Sequence, residues 1–127
     1  MGRGVLSLEK MDLKDLRLEW EPGDACNIMR ITGRITNSNS FDLNHRIHRV
    51  FENGQYNVIL DLAGLEFINS TGIAILYSLF SRARDNGGKI VVGGLNPFLR
   101  NIFSLMEMPA GMDIEETVED ARKHFLT

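Results

Sequence analysis

Two segments near the start of the chain have the polar and apolar pattern of strands. Leu16 to Glu21 reads LRLEWE and alternates strictly, which places its apolar side chains on one face and its charged ones on the other. Asn27 to Ile35 (NIMRITGRI) predicts a second strand, and the Pro-Gly-Asp between the two segments is typical of a turn. The pattern therefore predicts an antiparallel hairpin.

The rest of the chain alternates between helical spacing and short apolar runs. Apolar residues at helical spacing predict four helices, near 40–53, 70–86, 96–106 and 117–125. Three runs between these helices predict buried strands, at 57–62, 89–92 and, more weakly, 112–116. The order ββαβαβαβα predicts an α/β sandwich with a mixed sheet. We expect a single domain over 1–127, with its core at about 16–125 and a flexible segment at 1–12.

Charge and cysteine content exclude several classes of function. The formal net charge is −3 and the basic residues are scattered, which argues against a nucleic-acid partner. The single Cys26 cannot form a disulfide within the chain, as is typical of proteins in a reducing compartment. No apolar run reaches the roughly 18 residues of a spanning helix, and the first eight residues lack a signal-peptide core. We therefore expect a cytoplasmic protein without membrane insertion.

Three asparagines stand where a predicted strand gives way to a helix. Asn37, Asn69 and Asn96 each precede a helical pattern, and all can cap it. Because crossovers between parallel strands are right-handed, these loops are expected to meet at the carboxyl edge of the sheet. That edge, with the adjoining Ser38, is the first place to look for a partner or ligand. Phe98 is expected in the core, the alternative being partial exposure near this edge.

The segment from Asp61 to Ile73, DLAGLEFINSTGI, follows the apolar strand VILDL and opens a long helical pattern. It resembles the signature of STAS domains, a family that includes bacterial anti-sigma factor antagonists. The resemblance extends from about Leu16 to Phe125. It includes Gly33-Arg34-Ile35 before the first helix and GGKIVVGG after the second. The resemblance implies the sandwich fold that the pattern predicts.

By this resemblance Ser70 is the serine that a partner kinase phosphorylates, and Thr71 is the hydroxyl residue that follows it. A helix start can accommodate the phosphate, because its free backbone N–H groups carry positive partial charge. Gly72 lacks a Cβ atom, which would let a kinase approach the hydroxyl closely; the alternative is simple helix-start geometry. The family usually has Asp where this chain has Asn69, so Ser70 acting only as part of a helix cap stays an alternative.

The resemblance implies a regulatory binding protein and not an enzyme. Its partner would be an anti-sigma factor serine kinase, with a serine phosphatase as a second candidate. The alternative is a STAS module that serves as a regulatory or structural subunit of a transport or signalling assembly without phosphorylation. Two pairs of residues can be considered as catalytic or metal sites. Catalysis by the carboxylates Asp61 and Glu66 would need a nucleophile and a base beside them, and the sequence shows no such set. Metal binding by His45 and His48 would need further ligands at the spacing of a metal site, and the pair lacks them. We expect no cofactor and no metal.

Overall fold

The computed structural model describes residues 8–106 and 112–126. Its strands are β1 (Glu9–Leu13), β2 (Leu16–Glu21), β3 (Asn27–Ile35), β4 (Val58–Asp61), β5 (Leu65–Ile68), β6 (Ile90–Gly93) and β7 (Asp113–Glu115). Its helices are α1 (Ser40–Arg46), α2 (Ser70–Asp85), α3 (Pro97–Ser104) and α4 (Val118–Arg122). Short 3₁₀ segments follow α1 at Ile47–Phe51 and α4 at Lys123–Phe125.

One mixed sheet contains all of these strands. Its order is β1-β2-β3-β4-β6-β7, and β5 pairs with β3 beyond the end of β4. Strands β1, β2 and β3 are antiparallel neighbours, whereas β3, β4, β6 and β7 run parallel. The carboxyl ends of these parallel strands therefore lie at one edge of the sheet, where the loops to the helices begin.

Period-two alternation divides the buried side chains between the two faces of the sheet. Leu60 and Val92 face the larger core, which α1, α2 and α3 cover, while Ile59 and Val91 face the smaller core under α4. In α2 the buried residues recur at helical spacing: Ile75, Leu76, Leu79, Phe80 and Ala83. Helices therefore cover both faces, and the predicted α/β sandwich with an N-terminal antiparallel hairpin is confirmed.

Two strands differ from the sequence-based expectation. The sequence pattern predicts no strand before Leu16, but residues 9–13 pair along their whole length with β2. Residues 1–7 lie outside the described residues, and the flexibility of 1–12 stays a prediction. Leu65–Ile68, expected to be part of a connection, is a strand beside the end of β3. The predicted first helix is also divided, because Ser40–Arg46 is α-helical and Ile47–Phe51 adopts 3₁₀ geometry. Within the described ranges, no helix has the length and apolar character needed to cross a bilayer.

Candidate functional site

The amino-terminal end of α2 presents Ser70 at the surface. Asn69 precedes the helix in an extended conformation, and its Oδ1 accepts a hydrogen bond of 2.8 Å from the Gly72 amide. Ser70 is the first residue of the helix, and both its side chain and that of Thr71 are exposed. The first turn contains no acidic residue, so the positive end of the helix dipole is not neutralised there. The predicted exposure of Ser70 at the start of this helix is confirmed.

Strand β5 determines where this helix begins. The ladder pairs Ile68 with Ile35 at the end of β3, and the Asn69 amide donates to the Ile35 carbonyl at 3.2 Å. Two consecutive links therefore hold the chain to β3 immediately before Ser70. The Ser70 hydroxyl is presented by an anchored helix start and not by a free loop.

Gly72 has a packing role that the sequence reasoning did not predict. A Cβ atom at this position would lie 2.7 Å from Ile35 Cγ2 and 2.7 Å from Ile68 Cγ1, and both isoleucines are buried. The absence of a side chain thus lets the first turn of α2 sit directly on the core. Gly72 is itself buried, so packing within the protein accounts for the glycine, and close approach of a kinase to the Ser70 hydroxyl stays a prediction.

The loop before α1 lies against this helix start. Asn37 is exposed, and its Oδ1 accepts a hydrogen bond of 2.9 Å from Asn69 Nδ2. Ser38 is also exposed, and its backbone amide donates to Thr36 Oγ1 at 3.2 Å. The expected meeting of the first two loops is therefore confirmed. The particular asparagine pair that joins them was not predicted.

Asn39 is the buried residue of this loop, with 1% of its surface exposed. Its Nδ2 donates to the carbonyls of Lys14, at 2.6 Å, and Arg34, at 2.8 Å. Its Oδ1 accepts from the Thr36 amide at 3.0 Å. The side chain therefore ties the loop to both the β1–β2 turn and the end of β3. In the sequence Asn39 is one of four candidate caps before the first helix, with Asn37, Ser38 and Ser40, and nothing in the local pattern marks it as buried.

The start of α3 carries the third asparagine. Asn96 Oδ1 accepts from the Leu99 amide at 2.9 Å, while its Nδ2 donates to the carbonyls of Leu65, at 2.7 Å, and Ala63, at 3.3 Å. This side chain caps the helix and also fastens it to the segment that leads into β5. The third loop thus reaches the connection between β4 and β5, and Asn96 acts as a structural link there.

An aromatic stack lies beside the start of α3. Phe98 is 42% exposed, so the expectation of burial in the core is wrong and the alternative of partial exposure is confirmed. Its ring centroid is 6.4 Å from that of Phe67, and the two planes differ by 22°. On β3, Arg34 is paired with Phe67 in the ladder, and its guanidinium carbon lies 4.9 Å from that ring centroid. Sequence reasoning missed Phe67 and Arg34 as surface partners because it did not recognise β5.

A groove between α1 and α2 adjoins the same helix start. Its cavity volume is about 400 Å³, and its lining residues are Ser40, Phe41, Asn44, Thr71, Ala74 and Ile75. Phe41 is 73% exposed, and its ring contacts that of His45 edge to face at 4.5 Å. An exposed aromatic side chain beside a concave surface is typical of protein interfaces. The sequence pattern did not single out Phe41.

The carboxylate pair considered from the sequence, Asp61 with Glu66, has structural and surface positions in the fold. Asp61 forms an ion pair with Arg30 at 3.0 Å and accepts a hydrogen bond from the Ala63 amide at 3.1 Å, so it organises the end of β4. Glu66 is exposed on β5. The carboxylate of Asp61 is thus already bound within the fold, and the two residues do not share a site.

His48 packs against α2, where its Nε2 lies 3.4 Å from Ser78 Oγ. Among the described residues its buried Nδ1 has no hydrogen-bond partner. Burial lowers the pKa of His48, and the charge of Arg82 lowers it further.

Among the residues that the structure describes, no group of three His, Cys, Asp or Glu side chains is placed to hold a metal ion.

Comparison with known proteins extends these observations. Over 112 residues the chain is 23% identical to BtrV of Bordetella bronchiseptica, which is provisionally named an anti-sigma factor antagonist; the match covers 88% of this chain and 97% of BtrV. The crystal structure of an anti-sigma factor antagonist from Mycobacterium paratuberculosis superposes with a TM-score of 0.76 at 21% identity, covering 91% of this chain and 98% of that one. The Bacillus cell fate determinant SpoIIAA, solved in its phosphorylated form, superposes with a TM-score of 0.59 at 16% identity, covering 94% and 98%.

At these identities the superposed structures show a common fold. The family assignment comes from the sequence itself, because the pattern of the STAS domain family matches residues 19–121. This range begins in β2 and ends in α4, and it includes Ser70 with the loop and helix starts around it. The chain belongs to the STAS domain family.

Proposed function

We propose that this protein is an anti-sigma factor antagonist that binds an anti-sigma factor serine kinase while Ser70 is unmodified. Phosphorylation of Ser70 by that kinase ends the binding. The observation that carries the proposal is the exposed Ser70 side chain, anchored by the Asn69 cap at the start of α2. The names of BtrV and of the mycobacterial structure support the antagonist role, and the phosphorylated SpoIIAA structure supports a phosphate on this fold.

The chemistry of the helix start favours a phosphate at Ser70. In the transfer, Ser70 Oγ attacks the γ-phosphorus of ATP on the kinase, ADP leaves, and the serine proton passes to a base of the kinase. The product carries a charge of about −1.5 to −2 at a site with no acidic residue in the first helical turn. Because the helix dipole is positive there, the modification changes the surface charge without a need to unfold the domain.

The surface around Ser70 contains the contacts that a partner would use. Asn37, Ser38, Thr71 and Phe98 are exposed, whereas Asn69 and Asn96 are engaged as caps. A phosphate inside such an interface must lose its hydration when the partner docks, and it adds negative charge to a chain of net charge −3. Binding therefore weakens on phosphorylation. A cost of about 3 kcal/mol corresponds to a roughly hundredfold loss of affinity.

The first experiment identifies the modified residue. The protein is incubated with ATP and each candidate anti-sigma factor kinase of its own organism, and intact mass and peptide mapping locate the phosphate. We expect one phosphate on Ser70, none on Ser70→Ala, and unchanged modification of Thr71→Val. A phosphate on another residue, or none with any of these kinases, contradicts the phosphorylation step.

The second experiment measures the sign of the switch. Calorimetry compares the affinity of unmodified, phosphorylated and Ser70→Ala protein for the same kinase. We expect tight binding of unmodified and Ser70→Ala protein, and binding about a hundredfold weaker after phosphorylation. Ser70→Glu carries one charge where phosphate carries nearly two, so it should mimic the modification only in part. Equal affinity of the modified and unmodified forms would favour the alternative of a STAS subunit in a larger assembly.

As a regulator of transcription, the protein would act in the cytoplasm. A serine phosphatase that removes the phosphate would complete the cycle by restoring the binding form. Addition of a candidate phosphatase to the phosphorylated protein should restore kinase affinity to that of the unmodified chain, and calorimetry checks this directly.

A further inference from the structure

We propose that Asn37 is a positioning residue for the modification of Ser70. It holds the Asn69 side chain in the orientation that caps α2, and so determines how the first turn presents the Ser70 hydroxyl. The effect on phosphorylation rests on the proposed function. The effect on the cap can be measured without any kinase.

The geometry uses both ends of the Asn69 amide group. Its Oδ1 accepts from the Gly72 amide at 2.8 Å, and its Nδ2 donates to Asn37 Oδ1 at 2.9 Å. The Gly72 amide belongs to the first turn of the helix, where backbone N–H groups have no partner four residues earlier. The cap therefore depends on Oδ1, and not Nδ2, facing Gly72.

An asparagine side chain can rotate so that its oxygen and nitrogen exchange places. In the rotated state Nδ2 would face the Gly72 amide, and two donors would oppose each other. In its observed orientation Asn37 presents Oδ1 to Asn69, and this oxygen can accept only from the Asn69 nitrogen, so the pairing favours the capping state over the rotated one. Without this acceptor, water solvates the donor in either state and the preference becomes weaker.

Asn37 can act in this way because its own loop is held in place. The buried Asn39 joins the loop to the carbonyl of Lys14 in the β1–β2 turn and to the carbonyl of Arg34 on β3. The backbone amides of Asn39 and Ser40 both donate to the Thr36 carbonyl, at 3.2 and 2.9 Å. The acceptor that faces Asn69 is thus carried by a loop with several connections to the sheet.

Three single variants test the proposal. Asn37→Ala removes the acceptor, Asn37→Asp keeps an oxygen that accepts from Asn69, and Ser38→Ala changes the next exposed residue of the same loop as a matched control. Hydrogen exchange of the Gly72 amide, followed by NMR, reports the cap. We expect exchange several-fold faster in Asn37→Ala, and wild-type exchange in Asn37→Asp and Ser38→Ala.

Kinetics with the kinase give the second readout. Asn37→Ala removes one side chain of the docking surface, so KM for Ser70 phosphorylation can rise modestly. Because the variant also weakens the cap, kcat should fall about three- to tenfold, by a larger factor than KM rises. Asn37→Asp should restore kcat. The melting temperatures of the three variants should agree with the wild-type value to within about 2 °C, since each changed side chain is exposed.

A double variant tests the pairing itself. In Asn69→Asp the carboxylate still caps Gly72, and Asn37 can rotate its amide to donate to it. In Asn37→Asp with Asn69→Asp two carboxylates face each other and no donor joins them. The double variant should therefore speed Gly72 exchange by more than the product of the two single effects.

The outcomes separate this inference from the proposed function. Wild-type Gly72 exchange in Asn37→Ala overturns the inference, whether or not Ser70 is ever phosphorylated. Faster exchange with an unchanged kcat also overturns it, because the cap then has no influence on the modification. Wild-type protein that no kinase modifies contradicts the proposed function, while a response of Gly72 exchange would still support the role of Asn37 in the cap.

Discussion

Replacing Gly72 by Ala tests the close packing of α2 on the sheet. The new Cβ atom would lie 2.7 Å from Ile35 Cγ2 and from Ile68 Cγ1, and 3.3 Å from Asn69 Oδ1. Both isoleucines are buried, with 0% and 4% exposure, and their branched side chains have few alternative rotamers. The contacts can be relieved only if the first turn of the helix moves away from the core.

Two opposing terms determine the size of the effect. Overpacking of a filled core costs about 1 to 3 kcal/mol, whereas replacing Gly by Ala in a helix gains at most about 1 kcal/mol. At the third position of the helix the gain is smaller, because the first turn is only partly helical in its hydrogen bonding. We expect a net loss of about 1 to 2 kcal/mol in the free energy of unfolding.

Thermal unfolding followed by circular dichroism measures this loss. For a chain of 127 residues the entropy of unfolding is about 0.27 kcal/mol/K, so the melting temperature should fall by about 4 to 7 °C. Ser70→Ala is the control, since it changes an exposed side chain of the same turn and should shift stability by less than about 0.5 kcal/mol. A melting temperature of Gly72→Ala equal to or above that of the wild type would refute the packing argument.

Three further variants probe the core, the loop and the titration of the protein. Leu79→Asp places a carboxylate at a fully buried position between α2 and the sheet, so we expect the free energy of unfolding to fall by more than about 4 kcal/mol. Thermal unfolding should then show no cooperative transition, and a folded variant would contradict the assignment of this face to the core. Asn39→Ala leaves two carbonyls and one amide without their partner, and urea unfolding should show a loss of about 2 to 4 kcal/mol. Because burial lowers the pKa of His48 below its ordinary value of 6.5, the unfolded chain binds the proton more readily than the folded one. Stability should therefore fall as the pH drops below about 6.5 towards the lowered pKa of the folded state, and His48→Gln should lose this part of the dependence; identical pH profiles would rule it out.

Local pattern was enough to predict those elements whose signal is contained in a short stretch of chain. The strict alternation of LRLEWE predicts β2, and the apolar positions of α2, with Asn69 before it and Gly87-Gly88 after it, predict that helix to within a residue. These predictions succeed because period and capping are properties of neighbouring residues. The exposure of Ser70 followed from the same information, since it precedes the apolar face of α2.

The partners of short strands were decided only by tertiary structure. Strand β5 has four residues without strict alternation. It forms because the end of β3 extends beyond β4, which leaves backbone groups of residues 33–35 available to pair with β5. Strand β1 likewise depends on pairing with β2. Missing β5 also concealed the Arg34 and Phe67 pair, because their contact crosses that ladder. Such pairings join residues far apart in sequence, so no local window contains their signal.

For individual polar residues and glycines, too, the sequence predicts which roles are open and the tertiary structure decides which role is taken. The sequence placed Asn37 and Asn39 in one group of candidate caps, but only the folded loop distinguishes the buried side chain that binds the β1–β2 turn from the exposed one that meets Asn69. It also marked Gly72 as special, and only the positions of Ile35 and Ile68 show that the reason is packing within the protein. Residue type and spacing determine which side chains can cap, pair or pack closely. Which of these they do depends on the neighbours that distant parts of the chain bring to them.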